Sequence, residues 1–471
     1  MGPPSGPASG SGLPGASVEL RSPLPFPSRW RAVTTAARDW PPATRVFVGL
    51  TGLALLLALM LIVRPGGPAP IPTAPVLLDA EPQIRVRVLR RVTQASLAGD
   101  QSLVLVDRHG EAHALASPVT LTIQKGEFNL ITPDTLVLRI PVAEPLEFRA
   151  ARYTLSSGPP NAPGSLTLSA PLRVFPAINA LDRFDVVAEL PIETYLPGVL
   201  AGEMYSHWPL GAFKAQAVAA RSYALHDRKL AQVSGRNWDV ERGTRSQSFV
   251  GETSLQVAVD AVEQTRGQVL TWEGEILRAY YSSSIGGRAA SAADVFRSDD
   301  GYEYNRADPI QATPREYFDQ ESPTHRWQRQ RDVIDLSGRI RAWGEDRNHP
   351  VKDLTRLLHI RETAHNAVGR PTEYTLEDTR RKTATLTAEQ LRVACNYTGD
   401  AFAELGFNDR VLSSDIELGI EADTVTIVGR GYGHGVGMCQ HSAAELAERG
   451  EGYTKILHRY YPGAQIVRWY E

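Results

Sequence analysis

The sequence predicts an α+β protein, with mixed helices and antiparallel strands after residue 180, a β-rich unit before it and one N-terminal membrane helix. Three observations support this class. Short runs that alternate apolar and polar residues, typical of half-buried strands, fill most of 80–190. Helical periodicity begins at Thr194. Further strands and helices then follow one another without a fixed-period repeat.

The size and composition indicate a globular protein of several units. A chain of 471 residues is too long for one ordinary core, so two or three structural units are expected. A hydrophobic content of 42% and a charged content of 22% are typical of globular proteins. The net charge of −3 argues against a nucleic-acid-binding protein, which usually carries a basic face. The two cysteines, Cys395 and Cys439, are too few for a disulfide scaffold and form either one bridge or two free thiols.

The N-terminal residues predict a single-pass protein of the cell membrane. Residues 1–45 begin with a Pro-, Gly- and Ser-rich stretch and are expected to form a disordered cytoplasmic tail. Residues 46–63 are uncharged and long enough for a membrane-spanning helix, with a buried core helix as the alternative. Five arginines precede this segment and only Arg64 directly follows it, so the positive-inside rule exports the rest of the chain. A stiff Pro-rich linker, 64–79, leaves the membrane.

The predicted β-rich unit, 80–180, consists of short alternating runs joined by turns rich in glycine and proline. Strands are expected at 84–92, 102–107, 119–124, 135–142, 165–170 and 183–193. The remaining residues, 181–471, form the predicted second region. Its further elements are a helix from Pro209, strands within 268–284 with a turn at Glu273-Gly274, helical sequence at 323–358 and 388–395, strands within 415–431, and a last helix at 438–449.

Glu203 is the first candidate for chemistry. Thr194 is a suitable N-cap for a helix that carries Leu196, Val199, Leu200 and Glu203 on one face. A carboxyl group at the end of an apolar face is partly desolvated, which raises its pKa and suits it to general acid catalysis near neutral pH. The alternative is an ordinary glutamate that reaches solvent from a helix end.

The helix after Pro209 carries two rows of alanines, which would let another backbone approach closely. An ordinary amphipathic core helix explains most of its residues. Arg221 differs, because it lies between alanine and serine on a mostly apolar helix. We expect it to have a partner, such as a carboxylate.

The segment 428–440 has glycine at every second position from Gly429 to Gly437. In an extended chain this leaves one face bare and projects Tyr432 and His434 from the other, which suits a binding site. Tight packing at a bend is the alternative. A nucleotide-binding loop is rejected, because the segment has neither G-x-G-x-x-G nor a following G-K-[ST].

A third stretch, 280–296, ends a strand in three serines and two glycines whose hydroxyls could bind a polar ligand. Ser282 is interpreted as part of a turn, and no nucleophile elbow is present. His434, Cys439 and His441 lie close in sequence, but their spacing is not that of a zinc site, so no metal is predicted.

Together, three stretches closely resemble the stage II sporulation protein D family, which includes proteins named amidase enhancers. They are "LPIETYLPGVLAGEMYSHWPLGAFKAQAVAARSYAL", "YYSSSIGGRAASAADVF" and "GRGYGHGVGMCQHSAAELAERGEGYTKILHRYYPG". Residues 261–281, 322–327 and 412–418 also match in the family's order. The resemblance covers roughly 180–471 and fits 80–180 only loosely.

The resemblance implies a lytic transglycosylase that cleaves peptidoglycan glycan strands, preferentially those without stem peptides, and needs no metal or other cofactor. Glu203 would be the catalytic acid. The residues implied to bind substrate or support that site are Arg221, Tyr281, Ser283, Ser284, Tyr432, His434 and Gln440. The implied partners are glycan strands and a cell-wall amidase, with no nucleic acid.

Two other functions stay open. A non-catalytic protein that binds glycan and activates an amidase is the main alternative. A hydrolase is the weaker one, because it needs a second carboxylate, for which Asp294 and Asp299 are the candidates.

The sequence also departs from the family's pattern. Cys439 and His441 replace the usual serine and tryptophan of "GMSQWGA", and "GEMYSHWP" lengthens the spacing between the acid and the next tryptophan. Some members carry a zinc cluster after the second helix, but His226 has no cysteine nearby.

Overall fold

The computed structural model describes residues 80–471 apart from 100–102, 108, 134, 143–144, 160–161, 163, 181 and 400. The predicted tail at 1–45, the predicted anchor at 46–63 and the predicted linker at 64–79 all lie outside the described residues. Within the described ranges, no helix is both long enough and apolar enough to cross a membrane.

The described chain contains strands and helices throughout, which confirms the α+β class. The strands are β1 (Gln83–Val92), β2 (Gln94–Gly99), β3 (Leu103–Val106), β4 (Ala112–Leu115), β5 (Val119–Gln124), β6 (Glu127–Thr132), β7 (Thr135–Pro141), β8 (Leu146–Arg149), β9 (Tyr153–Ser156), β10 (Leu166–Leu168), β11 (Leu172–Pro176), β12 (Phe184–Pro191), β13 (Val240–Glu241), β14 (Gln268–Trp272), β15 (Glu275–Ile276), β16 (Tyr281–Ser282), β17 (Arg326–Asp332), β18 (Leu357–His365), β19 (Pro371–Asp378), β20 (Thr383–Thr387), β21 (Ile416–Glu421), β22 (Thr424–Arg430), β23 (Met438–Cys439) and β24 (Gln465–Arg468). The α-helices are α1 (Ile192–Glu203), α2 (Leu210–Val233), α3 (Gln256–Gln264), α4 (Ala292–Val295), α5 (Val333–Asp346), α6 (Ala388–Cys395), α7 (Gln440–Glu448) and α8 (Tyr453–Tyr460). Short 3-10 helices lie at Glu303–Arg306, Asp308–Ile310, Pro350–Asp353 and Phe407–Asp409.

Two large sheets form the first part of the molecule. One has seven strands in the order β13-β1-β12-β11-β8-β3-β4, and the other has six in the order β10-β9-β2-β5-β6-β7. Phe128 of one sheet meets Phe184 of the other edge-on, with ring centroids 6.0 Å apart. Strands β12 and β13 follow residue 180, so the β-rich unit shares a sheet and a hydrophobic core with the region after it.

Helix α1 begins three residues earlier than an N-cap at Thr194 predicts, and the expected N-cap role of Thr194 is wrong. The helix starts at Ile192, directly after β12, with Pro191 in the cap position. The amide of Ile192 donates to the carbonyl of Pro82, and the amide of Glu193 donates to the carboxylate of Glu81. These contacts satisfy the first helical donors, so the residue at the cap position need not supply a capping side chain.

Helix α2 lies between two hydrophobic cores, which explains its two alanine rows. Ala217, Ala220 and Ala224 belong to the first core, shared with the large sheets and α1. Ala215 and Ala219 belong to a second core, which includes Leu270, Val436, Met438 and residues of α7 and α8. The small side chains let both cores approach the helix axis.

A third core is formed within 326–430 by two three-stranded sheets, β17-β22-β21 and β18-β19-β20, with α5 and α6. The prediction of helix throughout 323–358 is wrong for its first part. Residues 326–332 form β17, paired along its whole length with β22, and α5 begins only at Val333. The predicted helix at 388–395 is confirmed, with a capping box between Thr387 and Gln390.

Several smaller predictions are confirmed. Glu273 and Gly274 have positive φ and form the two-residue turn between β14 and β15. The strands within 415–431 are β21 and β22, and the last predicted helix is α7. Helix α8 and strand β24, which follow it, were not predicted. The short parallel pair β16-β23 aligns Tyr281 with Met438 and carries two predicted site segments side by side.

Candidate active site

Glu203 is the last residue of α1 and lies at the end of its buried face. Leu196, Val199 and Leu200 have no exposed surface, whereas Glu203 keeps part of its surface open. Burial raises the pKa of Glu203 from 4.5 to about 7. The amide of Ser248 donates to Glu203 Oε1 at 2.6 Å, and the side chain of Gln440 also hydrogen-bonds this carboxyl group. These two contacts act against the desolvation without cancelling it.

Two glycines of α1 let the segment around Ser248 reach the acid. A Cβ at Gly202 would lie 2.7 Å from the carbonyl oxygen of Ser248, and one at Gly198 would lie 2.1 Å from that of Gly251. Both distances are too short for any other residue type. The i, i+4 spacing places both glycines on one side of the helix, where the chain from Ser248 to Gly251 packs. The glycines of "GVLAGE" therefore set the position of the amide donor.

Neutral polar groups surround the carboxyl group. Gln247 is fully buried; its Nε2 donates to the hydroxyl of Tyr281 at 3.0 Å, and its Oε1 accepts from the hydroxyl of Tyr195 at 3.1 Å. Burial, with a second contribution from the charge of Glu203, raises the pKa of Tyr281. Gln440 also donates to Gln216, another buried amide, at 3.5 Å. Tyr281 and Gln440, both predicted for the site, therefore lie beside Glu203.

No second acid accompanies Glu203 among the residues that the structure describes. Burial raises its pKa, the hydrogen bonds from Ser248 and Gln440 lower it in part, and no carboxylate contributes. Asp294 is exposed on α4, and Asp299 is exposed and paired with Arg297. A pair of carboxyl groups placed for hydrolysis would perturb each other.

Gly429 lies in β22, but the glycines after it do not continue an extended strand, so the prediction of an extended glycine segment is wrong beyond Arg430. Gly431, Gly433, Gly435 and Gly437 all have φ between +73° and +100°, a region that favours glycine. The chain winds tightly against its neighbours. A Cβ at Gly437 would lie 1.9 Å from the carbonyl oxygen of Tyr280, so glycine is required for β23 to run beside β16. This approach brings Gln440 to Glu203.

His434 is held as a neutral hydrogen-bond donor. Its Nδ1 accepts from the amide of Val436 at 3.0 Å, so its proton lies on Nε2. Ser282 Oγ lies 3.1 Å from the same Nδ1 and accepts from the amide of Gly435 at 2.9 Å. Burial, followed by nearby arginines, lowers the pKa of His434 to about 3. Ser282, interpreted from sequence as a turn residue, therefore orients the imidazole.

The serine loop is fixed by one buried carboxylate. Oδ2 of Asp319 accepts from Ser284 Oγ at 2.7 Å and from the amides of Ile285 and Gly286 at 2.9 and 2.8 Å. The hydroxyl of Ser284 is thus occupied inside the protein, and the predicted contact between Ser284 and a ligand is not supported. The backbone of Ser284 pairs with Tyr432, and the carbonyl of Ser283 accepts from the amide of His441.

The prediction that Arg221 contacts substrate is also not supported. Its side chain has no exposed surface, and it pairs with Glu193 at 2.7 Å. Its other donors are directed to backbone carbonyls, including that of Gln268 at 3.1 Å. Glu193 lies at the opposite end of α1 from Glu203. The expected carboxylate partner exists, but it stabilises the fold and leaves no donor for a glycan.

The residues that replace the family's usual pattern form an aromatic cluster. The rings of Trp208 and His441 lie 4.9 Å apart, and Tyr205 packs edge-on against both, at 5.0 and 5.8 Å. His441 therefore contacts the lengthened "YSHW" loop.

Neither cysteine is bridged, and both thiols are buried. In the described part of the chain, a grouping of possible metal ligands occurs only at Asp107, Glu111 and His113, in the β-rich unit. His226 packs against Tyr304 and lies 3.8 Å from Asp227.

Sequence reasoning missed Gln216, Gln247, Ser248 and Ser282. Ser282 carried a signal, because it stands in the same serine run as the predicted residues. The others act through buried amides or a backbone amide, for which the sequence offers no motif.

Comparisons with known proteins identify the family of this chain. A family model described as "Stage II sporulation protein" matches residues 181–272, and a domain of unknown function matches 298–437. Stage II sporulation protein D of Bacillus subtilis is 26% identical over 66% of this chain and 84% of its own length. The chain belongs to the stage II sporulation protein D family. An uncharacterized protein of Brachyspira hyodysenteriae is 30% identical over 61% of this chain and 69% of its own length.

Another relative in this sporulation protein D group is the "Amidase enhancer" of Bacillus subtilis, which is 29% identical over 58% of this chain but only 40% of its own length. The segment matched by the family model contains Glu203 and Ser248, while Tyr432 and His434 lie in the domain of unknown function. The candidate site therefore combines residues from both matched regions.

Proposed function

We propose that the protein acts on the cell wall as a lytic transglycosylase that cleaves peptidoglycan glycan strands between MurNAc and GlcNAc. One observation carries the proposal: a single carboxyl group with a pKa of about 7, held by neutral donors, without a second acid contributing. Such a group is protonated in a large fraction of molecules near neutral pH and can act first as an acid and then as a base.

The chemistry balances with one carboxyl group. Protonated Glu203 donates its proton to the glycosidic oxygen as the bond from that oxygen to C1 of MurNAc breaks through an oxocarbenium-like state. The carboxylate then removes the proton from the 6-hydroxyl of the same MurNAc, and that oxygen bonds to C1. The products are a 1,6-anhydroMurNAc end and a free GlcNAc hydroxyl. Because the nucleophile belongs to the substrate, no bound water or second carboxylate is required.

The neighbouring groups support this cycle. Ser248 and Gln440 donate to Glu203 and stabilise its carboxylate form after the first proton transfer. Neutral His434 presents an Nε2–H donor that suits a sugar hydroxyl or acetamido oxygen, and Tyr281 adds a hydroxyl.

The test uses the full-length chain, denuded glycan strands and mass spectrometry of the products. Wild type is expected to generate 1,6-anhydroMurNAc ends, and Glu203→Gln should reduce the rate by about 10²- to 10⁴-fold. Glu275→Gln, an exposed glutamate on β15, is the matched control and should retain full activity. Reducing ends instead of anhydro ends, or undiminished cleavage by Glu203→Gln, would contradict the proposal.

The second candidate is a non-catalytic activator of a cell-wall amidase, favoured by the relative named amidase enhancer. It predicts that Glu203→Gln binds glycan and stimulates amidase digestion of cell walls as well as wild type does. Loss of stimulation together with loss of cleavage would exclude it.

A further inference from the structure

Two aromatic clusters lie beside the acid and come from different parts of the fold. The first is centred on Tyr205, two residues after Glu203, which is half-buried and packs against Trp208 and His441. Tyr205 packs on the first hydrophobic core, which α1 shares with the large sheets.

The second cluster comes from the region that matches a domain of unknown function. Tyr432 is half-buried on the third core, and Phe407 packs edge-on against it with ring centroids 5.9 Å apart. Phe407 is 47% exposed, on a 3-10 helix turn. Phe407 thus keeps part of its ring surface available for contact with a ligand.

The two clusters are linked through the serine loop, because His441, which packs on Tyr205, donates its amide to the carbonyl of Ser283, directly before Ser284. Burial raises the pKa of Tyr205, and Tyr432 contributes in the same direction. Tyr432 also pairs through its backbone with Ser284, which fixes it relative to the serine loop and the Glu203 site. Both clusters are therefore attached to segments that form the candidate active site.

We infer that Tyr205, Tyr432 and Phe407 form an aromatic ridge that binds pyranose rings of the glycan strand next to Glu203. Sugar rings have apolar C–H faces and polar edges, and tyrosine offers both a ring face and a hydroxyl. The region 298–437 then contributes part of the substrate-binding surface. This inference rests on the proposed function for the identity of the ligand.

The other strongly exposed apolar side chains in the described ranges differ in kind. Ile178, Val233 and Ile334 are 75%, 84% and 65% exposed, and all are aliphatic. None has a ring with which to stack on a sugar. Ile334 is the suitable control, because it is exposed on α5 within the same 298–437 region as Phe407.

The test measures binding separately from cleavage. Every variant is made in the full-length Glu203→Gln chain, and calorimetry records the Kd for denuded glycan strands and for a soluble chito-oligosaccharide. Phe407→Ala should raise the Kd about three- to tenfold, since one stacked aromatic contact contributes on this scale. Ile334→Ala should leave the Kd unchanged. Tyr432→Phe, which keeps the ring, should bind better than Tyr432→Leu, which keeps only apolar bulk for the core.

The outcomes separate this inference from the proposed function. An unchanged Kd in both Phe407→Ala and Tyr432→Leu, with unchanged melting temperatures, would overturn the aromatic ridge. An equal loss of affinity in Ile334→Ala would do so as well. If wild type makes no anhydro ends but the ridge variants still weaken glycan binding, the transglycosylase proposal fails and the ridge stands.

Discussion

Helix α1 carries a glutamate near each end, and the two have opposite surroundings. Glu193, in the first turn, accepts from Arg221, from the amide of Gly267 and from the hydroxyl of Tyr470. Glu203, the last residue, accepts from the Ser248 amide and from the neutral side chain of Gln440. The helix dipole favours negative charge at the first position and disfavours it at the second.

This comparison shows how one residue type takes two roles on one helix. A cation and several hydrogen-bond donors hold Glu193 in place, so this glutamate stabilises the fold. Glu203 has donors but no cation, so burial keeps its proton exchangeable near neutral pH. Arg221, which the sequence resemblance placed in the active site, instead pairs with Glu193.

The largest expected effect comes from breaking the structural pair. Arg221→Met leaves Glu193 buried without its cation and should lower the free energy of unfolding by about 3–5 kcal/mol, measured by chemical denaturation. Arg266→Met removes an exposed arginine that pairs with Glu81 and should cost at most about 1 kcal/mol. The double variant Arg221→Met/Glu193→Met should recover much of the loss. If Arg221→Met and Arg266→Met lowered the free energy of unfolding equally, the buried pair would stabilise the fold no more than the exposed pair does.

The next effect concerns stability and pH at Glu203. The folded state raises its pKa from 4.5 to about 7, so the folded protein binds this proton more tightly than the unfolded chain. Its contribution to stability is therefore greatest below pH 4.5, declines as pH rises towards 7, and stays low above. Glu203→Gln should remove this loss and stabilise the protein at pH 8 by up to about 3 kcal/mol relative to wild type.

Thermal unfolding at several pH values measures this prediction. The advantage of Glu203→Gln should vanish near pH 4, where wild-type Glu203 is protonated in both states. Glu193→Gln provides the contrast, because it leaves Arg221 unpaired and should destabilise the protein at pH 8. If Glu203→Gln were less stable than wild type at pH 8, the inference that burial raises the pKa of Glu203 would be contradicted.

The smallest expected effect is on the pH dependence of the reaction. The first step needs protonated Glu203, so kcat/KM for glycan cleavage should fall about tenfold for each pH unit above about 7. Initial rates at low substrate concentration, with enzyme stability checked at each pH, give this profile. A rate that stays constant up to pH 9 would show that Glu203 does not donate the proton.

The sequence was most informative where the local periodicity of apolar residues determines whether a segment forms a helix or a strand. Six strands of the β-rich unit, the buried face of α1 and helix α7 followed directly from their patterns, whereas strands β2, β4, β6, β8, β9 and β11 were not predicted. Local periodicity failed for the glycine segment, because alternation by itself does not distinguish an extended chain from one with positive φ at every second residue. It also failed for 326–332, whose strand depends on pairing with β22.

The candidate site was only partly predictable for a similar reason. Glu203 lies on a helix whose face can be read locally, but its donor Ser248 lies 45 residues later. The partner of Arg221 lies 28 residues earlier, beyond any local pattern. Contacts of this kind depend on tertiary packing. A resemblance to a family can identify Glu203 as the acid. It does not show that Arg221 pairs with Glu193.

The bond between Tyr470 and Glu193 has a consequence for the time at which activity appears. These residues are 277 positions apart, and Gln440 reaches Gln216 across 224 positions. Contacts so distant in sequence form late and slowly during folding. While a nascent chain still lacks these late segments, Glu203 has no Gln440 beside it and Glu193 has no Tyr470. A half-synthesised chain therefore lacks the Gln440 donor, and the candidate site is complete only after the C-terminal segments have folded.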